Sequence, residues 1–291
     1  MFRSNSQKGG ENIMEEIWIS TNELHRNIGE KVWVIFDCRY ELMDKEAGMN
    51  EYLKVHIPTS YYASLHNDLS GVKKEHGGRH PLPEKEKFVS FLQRHGVTND
   101  TTVVLYDDGS YVYASRFWFL LKWIGHSKIK IVVGGFSKWK SESLPTEKNE
   151  QALPESSNYL ANFNDQLFCS MEYVKDFIKN NHDVSLIDSR DSARYRGEVE
   201  PIDRVAGRIP TAVNFNYSEN IIMGELKSKE ELTERFQTIP KDREVVVYCG
   251  SGVTGCVNVL ALQSAGYRNV KLYSGSYSDW SSYIDNEIEK G

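Results

Sequence analysis

Short apolar runs alternate with amphipathic segments along the whole chain. Thr101–Tyr106 and Glu244–Tyr248 have the length and continuous apolar character of buried strands. Pro83–His95 and Ser228–Gln237 have the three-to-four-residue apolar spacing of helices. Continuously apolar strands are typical of parallel sheets that are covered on both faces. The pattern therefore predicts an α/β fold in which a central, mainly parallel sheet carries helices on both faces.

Four blocks of sequence occur twice, in the same order. In the clearest pair, 102–107 (TVVLYD) corresponds to 244–249 (EVVVYC). In the second pair, 17–20 and 32–39 correspond to 167–170 and 184–190. The third pair is 56–59 (HIPT) and 208–211 (RIPT), and the fourth is 134–139 and 275–280. The period is near half the chain, which indicates a duplicated domain and not a solenoid. We predict domains at 14–143 and 166–291, joined by a linker at 144–165 that is rich in Pro, Ser, Asn and Glu.

Composition and charge exclude several classes of protein. A hydrophobic fraction of 40% and a charged fraction of 26% exclude disordered and collagenous chains. No apolar run approaches the ~18 residues of a membrane-spanning helix. The net charge of −6 argues against general nucleic-acid binding. The four cysteines form no CxxC pair, so we expect a reduced, cytoplasmic protein.

The first 13 residues are polar and lack the apolar core of a secretory signal. Patterned sequence begins directly after Met14. We therefore favour Met14 as the natural start behind a short leader, with a disordered native arm as the alternative.

One cysteine stands where an α/β fold usually binds its ligand. Cys249 follows the strand Glu244–Tyr248 and opens the sequence CGSGVT, and a helix begins at about Gly255. The glycines let backbone N–H groups turn toward the sulfur, and the helix N-terminus adds partial positive charge. Both effects favour the thiolate, which is the nucleophilic form. We interpret Cys249 as a reactive sulfur, although a lone cysteine is more commonly a buried structural residue.

The motifs around this cysteine resemble those of the tandem-domain rhodanese family and, within it, the mercaptopyruvate sulfurtransferases. The motifs are CGSGVT, DSR at 188–190, the HIPT and RIPT pair, the G-x4-W pair, GGRHPLP at 77–83 and DKEAG at 44–48. The resemblance covers about 17 to 280 and implies two tandem rhodanese-like domains, of which only the second is catalytic. The first copy has Asp107 in place of Cys249. A carboxylate cannot carry a persulfide, and we expect the neighbouring tyrosines to obstruct a cradle.

The resemblance implies a sulfurtransferase. Cys249 would take a sulfane sulfur from 3-mercaptopyruvate as a persulfide and pass it to a thiol, cyanide or thioredoxin, without a metal or organic cofactor. Family members that prefer thiosulfate resemble CRKGVT, with two basic residues after the cysteine. Here those positions are Gly250 and Ser251, so we expect mercaptopyruvate as the donor. Thiosulfate:cyanide transfer through the same persulfide is the alternative.

The resemblance also implies the other site residues. Ser251 is expected to bind the donor or to relay a proton to the leaving pyruvate enolate. His56 of HIPT is expected to join it, with a structural histidine as an equal alternative and Asp44 as a candidate acidic partner. Arg190 is expected to bind the substrate carboxylate, with an ion pair to Asp188 as the alternative. The remaining expected substrate-binding residues are Gly250, Gly252, Val253, Thr254, Arg194 and Arg196.

Residues that recur in both copies are interpreted as structural. They are Asp37 with Asp188 and Trp139 with Trp280. We expect Cys38 and Cys169 to be inert. For Cys256, core packing is favoured over a redox partnership with Cys249.

Three other kinds of site are less well supported. A cysteine-dependent phosphatase shares this fold but needs Cys-x5-Arg, and the sixth residue after Cys249 is Gly255. A non-catalytic binding module would be favoured if the cysteine were replaced, as it is in the first copy. No cysteines or histidines have the spacing of zinc ligands, so no metal site is expected.

Overall fold

The computed structural model of the chain describes residues 17–180 and 182–291. The leader predicted before Met14 lies outside the described residues. The first repeat forms a five-stranded parallel sheet with strand order β1-β5-β4-β2-β3. Its strands are β1 (Trp18–Ile19), β2 (Trp33–Asp37), β3 (Tyr61–Tyr62), β4 (Thr102–Tyr106) and β5 (Ile129–Val132). Its helices are α1 (Thr21–Asn27), α2 (Ala47–Lys54), α3 (Lys85–Arg94), α4 (Val112–Trp123) and α5 (Gly135–Ser141).

The second repeat has the same architecture, with strand order β6-β12-β11-β7-β8. Its sheet strands are β6 (Phe168–Cys169), β7 (Val184–Asp188), β8 (Val213–Asn214), β11 (Glu244–Tyr248) and β12 (Val270–Tyr273). A small hairpin of β9 (Ile221–Ile222) and β10 (Glu225–Leu226) follows β8. Its helices are α6 (Met171–Asn180), α7 (Ser192–Arg196), α8 (Lys229–Arg235), α9 (Gly255–Ser264) and α10 (Ser276–Trp280). The predicted α/β fold with two parallel sheets is confirmed.

Most predicted elements form, with shifted ends. The strand predicted at 101–106 begins one residue later, at Thr102, and the helices predicted at 83–95 and 228–237 are shorter at both ends. Ser20 caps α1 by accepting the Glu23 amide at 3.1 Å. The reciprocal capping box occurs at α8, where Ser228 and Glu231 bind each other's backbone.

Alternate residues of each central strand pack into different cores. In β4, Val103 and Leu105 join a cluster that includes residues of α3 and α4, whereas Val104 and Tyr106 join one that includes residues of α1 and α5. β11 divides in the same way, and its α8–α9 side belongs to the same cluster as the α3–α4 side of β4. The two repeats therefore share one hydrophobic core, in which α4 packs against α9.

The same Asp–Arg ion pair, which we call the clamp, lies at the carboxyl end of a central strand in both sheets. In the first repeat Arg39 Nη2 lies 2.6 Å from Asp37 Oδ2, which also accepts the Tyr106 hydroxyl at 2.9 Å. In the second repeat Arg190 Nη2 lies 2.7 Å from Asp188 Oδ2. Each arginine also donates to the carbonyl just before the HIPT or RIPT block. This duplication supports the structural interpretation of the two aspartates, and both tryptophans, Trp139 and Trp280, are buried as expected.

The segment predicted as a linker follows the surface of the first repeat. Residues 144–164 contain no helix or strand. Their backbone is hydrogen-bonded to the first repeat, for example from Ser157 N to Gln93 O and from Asn162 N to Ile124 O, both at 2.9 Å. Within the described ranges, no helix combines the length and apolar character needed to cross a membrane.

Replacing Asp37 by Ala should strongly destabilise the protein, because it leaves the buried Arg39 guanidinium without its carboxylate. We expect the free energy of unfolding in urea to fall by about 3–5 kcal/mol. Asp100→Ala is the matched control, since it removes an exposed ion pair with Lys128 and should cost less than about 1 kcal/mol. Equal losses in the two variants would contradict a stabilising role of the clamp.

Candidate active site

Cys249 lies at the carboxyl end of β11, directly before the loop that leads into α9. Its side chain is 1% exposed. The Gly252 amide donates to Sγ at 3.1 Å, and the Ser276 hydroxyl donates at 3.9 Å. The Tyr277 amide of α10 binds the Cys249 carbonyl at 3.0 Å. The loop thus holds the sulfur in a buried cradle of hydrogen-bond donors.

These donors change the acidity of the thiol. Burial raises the pKa of Cys249, but hydrogen bonds to the sulfur outweigh burial, and the pKa lies below that of an ordinary cysteine. The donors are the Thr254 side chain and the amides of Ser251, Gly255 and Gly252. At the other three cysteines burial outweighs the groups that oppose it: it raises the pKa of Cys169 and of Cys256 to about 12, and that of Cys38 well above its usual value. This contrast supports Cys249 as the reactive sulfur.

A side chain at either of two glycine positions in the loop would meet close neighbours. Gly252 has a φ of +76°, and a Cβ there would lie 2.2 Å from the Ser274 carbonyl oxygen. A Cβ on Gly250 would lie 2.8 Å from Arg79 Nη2 and 3.4 Å from Arg194 Nη1. Gly252 lets the backbone turn toward the sulfur, and Gly250 leaves room for two guanidinium groups.

A segment of the first repeat crosses to this loop. We call residues 71–82 the strap. Its Gly77 amide binds Asp279 Oδ1 at 2.7 Å, and its Arg79 amide binds Ser278 Oγ at 3.1 Å, both on α10. His80 of the strap hydrogen-bonds Ser251 Oγ through Nδ1 at 2.9 Å. Burial, with Arg116 and Arg79 nearby, lowers the pKa of His80 to about 3, so this histidine is neutral at physiological pH.

The prediction that His56 joins Ser251 is wrong. His56 is fully buried, stacks on Tyr52 and hydrogen-bonds its carbonyl at 2.7 Å. Its backbone pairs with Glu147, just as Arg208 pairs with Glu289 in the second repeat. The backbone of the HIPT block therefore fixes the segment around Glu147, which follows the last helix of the first repeat. The carboxylate of Asp44, which was the candidate acidic partner, instead binds the Glu46 amide in a local turn.

Arg190 is committed to the clamp. Its guanidinium binds Asp188, the Gly207 carbonyl at 2.7 Å and Glu200 at 3.3 Å, and it stacks on the Tyr277 ring. The ion pair, which was the alternative for this residue, is what the structure contains. Arg190 thus has a structural role at the base of the site. Its guanidinium nitrogens are already occupied and are not placed to bind a substrate carboxylate through two parallel hydrogen bonds.

The other two predicted arginines separate. Arg194 binds Glu200 and Asp203, at 2.7 and 2.9 Å, and its Nη1 faces Gly250. The prediction for Arg196 is wrong: it lies two residues further along α7, is exposed, and pairs with Glu198 at 2.6 Å. Two residues correspond to about 200° around a helix, so the two side chains point in different directions.

Arg79 is a site residue that the sequence interpretation missed. It pairs with Asp203, its Nη2 adjoins Gly250, and its buried Nε has no hydrogen-bond partner in the described structure. Burial lowers the pKa of Arg79, while the negative charge of Cys249 acts in the opposite direction. The signal was its place directly before His80 in the GGRHPLP motif.

Two further loop residues serve packing. Val253 is 4% exposed and belongs to the shared hydrophobic core, so its predicted contact with substrate is not supported. Cys256 is fully buried and its Sγ donates to the Gly252 carbonyl at 3.5 Å, in line with the favoured core interpretation.

The first repeat builds the same cradle around a carboxylate. Asp107 Oδ1 accepts the amides of Gly109 and Tyr111, and Oδ2 accepts those of Tyr113 and Ala114, at 2.9 to 3.3 Å. The expected obstruction by tyrosines does not occur, because Tyr111 contributes its amide and turns its hydroxyl to Gly224. Asp107 itself fills the cradle. In residues 17–180 and 182–291 no cluster of three or more His, Cys, Asp or Glu side chains could hold a metal ion.

Comparison with known proteins identifies the family. The profile of the rhodanese-like domain matches residues 20–142 and 170–283. The chain belongs to the rhodanese-like domain family. Both repeats carry the domain, so the tandem arrangement predicted from the duplicated blocks is confirmed.

Several rhodanese-like proteins resemble the chain over most of its length. It is 36% identical over 268 residues to "Probable 3-mercaptopyruvate sulfurtransferase" of Pseudomonas aeruginosa, covering 90% of this chain and 94% of the relative. It is 27% identical over 303 residues to "Thiosulfate/3-mercaptopyruvate sulfurtransferase 2" of Arabidopsis thaliana, covering 91% and 86%. It matches the crystal structure of SseA from Escherichia coli, described as a 3-mercaptopyruvate sulfotransferase, with a TM-score of 0.77 and 30% identity over 90% and 99% of the two chains. The chain is a rhodanese-like sulfurtransferase.

The rhodanese-like cradle should make Cys249 react at unusually low pH. We expect the rate of alkylation by iodoacetamide to rise with pH around a midpoint below that of free cysteine, because the cradle favours the thiolate. Thr254→Val should move the midpoint upward by removing one donor. Peptide mass mapping assigns the modified residue, and Cys169 and Cys256 serve as internal controls that should stay unmodified in the folded protein. A midpoint for Cys249 at or above that of free cysteine would refute the activation.

Proposed function

We propose that this protein transfers sulfur from 3-mercaptopyruvate to a thiophilic acceptor through a persulfide on Cys249. The observation that carries the proposal is the buried cradle, which lowers the pKa of Cys249 alone among the four cysteines. The Ser251–His80 pair beside it adds the proton chemistry that this donor needs. The names of relatives that cover most of the chain agree with this chemistry.

In the first step the Cys249 thiolate attacks the sulfur of 3-mercaptopyruvate. An S–S bond forms and the C–S bond breaks, and its electron pair leaves with carbon as the enolate of pyruvate. The proton of the substrate thiol ends on that carbon, giving pyruvate and an anionic persulfide. Ser251 Oγ, hydrogen-bonded to neutral His80, is suited to carry this proton. The amide cradle stabilises the anionic sulfur before and after transfer.

In the second step an acceptor attacks the outer sulfur and restores the Cys249 thiolate. A thiol leaves as its persulfide, and cyanide leaves as thiocyanate. We propose a small thiol as the usual acceptor, with thioredoxin as a protein acceptor of the same chemistry. The free state of all four cysteines fits the cytoplasmic location expected from the sequence.

The substrate carboxylate needs a cation, and we assign it to Arg79 and Arg194 in place of Arg190. Both guanidinium groups adjoin Gly250, one residue from the reactive sulfur. The buried Nε of Arg79 has no hydrogen-bond partner among the described residues. A planar guanidinium can bind a carboxylate through two parallel hydrogen bonds.

The charge around the loop favours a monoanionic donor. Arg79, Arg190 and Arg194 pair with three carboxylates, those of Asp188, Glu200 and Asp203. A thiosulfate dianion therefore meets a nearly neutralised cluster. Thiosulfate nonetheless remains the second candidate donor, because two guanidinium groups already stand beside Gly250. For the same reason an arginine introduced at Gly250 would have to displace Arg79, so loop charge cannot be tested by adding it there.

The decisive experiment compares the two donors and locates the persulfide. Incubation with 3-mercaptopyruvate should add one sulfur atom to the protein by intact mass, and Cys249→Ser should lose both this addition and all transfer. Serine variants of Cys38, Cys169 and Cys256 should retain both. The value of kcat/KM should be higher for mercaptopyruvate than for thiosulfate. A persulfide on another cysteine would overturn the site, and a preference for thiosulfate would overturn the donor.

Arg79→Met should mainly raise KM for mercaptopyruvate, since it removes a cation that we assign to the substrate carboxylate. The expected loss is about 1.5–3 kcal/mol, or roughly ten- to a hundredfold in KM. Arg196→Met is the matched control, because this exposed arginine forms its one ion pair within the described residues with Glu198, and KM should be unchanged. Steady-state kinetics with cyanide as acceptor measure both. A normal KM in a folded Arg79→Met variant would refute the assignment.

A further inference from the structure

A fully buried arginine of the silent repeat lies beneath the Cys249 loop. Arg116 belongs to α4, which packs against α9. Its Nη1 donates to the Gly252 carbonyl at 3.1 Å. Its Nη2 donates to the carbonyls of His80 and Pro81 in the strap, at 3.2 and 3.3 Å, and to that of Leu69 at 3.2 Å. One guanidinium therefore holds the catalytic loop and the strap together.

No carboxylate balances this charge within the described part of the chain. Arg116 forms no ion pair there. Its guanidinium donates to four backbone carbonyls and also interacts with the buried Cys256 thiol. A buried cation without a counter-charge is costly, and burial lowers the pKa of Arg116. Negative charge on Cys256, and after it negative charge on Cys249, opposes that shift. Burial raises the pKa of Cys256 to about 12, whereas hydrogen bonds lower that of Cys249, so Cys249 is the sulfur whose anion can balance Arg116.

The other groups around Cys249 are already balanced or neutral. Arg79 and Arg194 pair with Asp203 and Glu200. Burial raises the pKa of Tyr217, which feels the charge of Cys249, so this tyrosine is neutral. Arg190 lies in the clamp, and His80 is neutral. Arg116 is thus the one charge in this set without a partner of opposite sign.

We infer that Arg116 is a positioning residue for sulfur transfer, which orients the Gly252 turn and the strap and supplies the unbalanced positive charge for the anionic sulfur. Gly252 links the two roles, since its carbonyl accepts Arg116 and its amide donates to the Cys249 sulfur. The inference rests on the proposed function, because it takes Cys249 as the sulfur carrier. It also gives the silent repeat a direct part in the chemistry.

Arg116→Met and Arg116→Lys separate charge from geometry. Removing the charge should raise the pH midpoint of Cys249 alkylation by about one unit and lower kcat for mercaptopyruvate about tenfold or more. Lysine keeps the charge but cannot hold several carbonyls in a planar fork. It should therefore keep the alkylation midpoint near that of wild type while kcat still falls. A purely structural arginine would leave the midpoint unchanged in both variants.

Phe117→Leu is the matched control, because it perturbs the adjacent core position of α4 without touching a carbonyl. It should lower the unfolding midpoint while leaving the alkylation midpoint and kcat as in wild type. If Arg116→Met does not fold, Arg116→Gln replaces it as the neutral variant: a raised alkylation midpoint in Arg116→Gln supports the inference, and a wild-type midpoint overturns it. Cys249→Ser keeps the two proposals apart. Transfer that survives this change refutes the proposed function, whereas transfer that depends on Cys249 together with an unshifted midpoint in Arg116→Met refutes only the role of Arg116.

Discussion

The site is organised by the need to hold a negatively charged sulfur out of water. Burial alone opposes the thiolate, so the loop must present donors from several directions at once, and backbone amides supply most of them. This requirement explains the glycine with positive φ, the start of α9 directly after the loop, and the anchoring of the loop by α10. The neighbouring arginines and the neutral histidine are placed around this anion. The rest of the molecule brings these groups to it.

The two repeats form one catalytic unit. The second repeat contributes the cysteine, but the strap and α4 of the first contribute His80, Arg79 and Arg116. The shared core and the packing of α4 against α9 hold these contributions in register. A second repeat on its own would keep Cys249 and lose the histidine of the proposed proton relay, one of the proposed substrate cations and the buried charge beneath the loop. Loss of chemistry in the first repeat therefore did not make it dispensable.

Features that depend on residues close together in the sequence were predictable, whereas contacts between residues of the two repeats were not. The apolar strand before Cys249 and the glycines after it were enough to locate the cradle. The exchange of His56 for His80 shows the limit, yet the sequence contained a clue. HIPT has a counterpart in RIPT, so its position belongs to the architecture of each repeat, whereas GGRHPLP has no counterpart and is free to serve the site. Arg196 could have been separated from Arg194 by helix geometry. Most partners of Arg116 are backbone carbonyls, which no side-chain pattern reveals.

Asp107 gives this duplication a chemical meaning. A carboxylate carries two acceptor atoms on one carbon, and in the first repeat two amides serve each oxygen. A persulfide also presents two acceptor atoms in a row, the inner sulfur and the outer one. The first repeat thus keeps a carboxylate in the place where the second repeat holds its sulfur. Its loop shows the geometry that four amides adopt around a two-atom anion, and under the proposed function the loop of the second repeat meets a comparable demand each time Cys249 receives a sulfur.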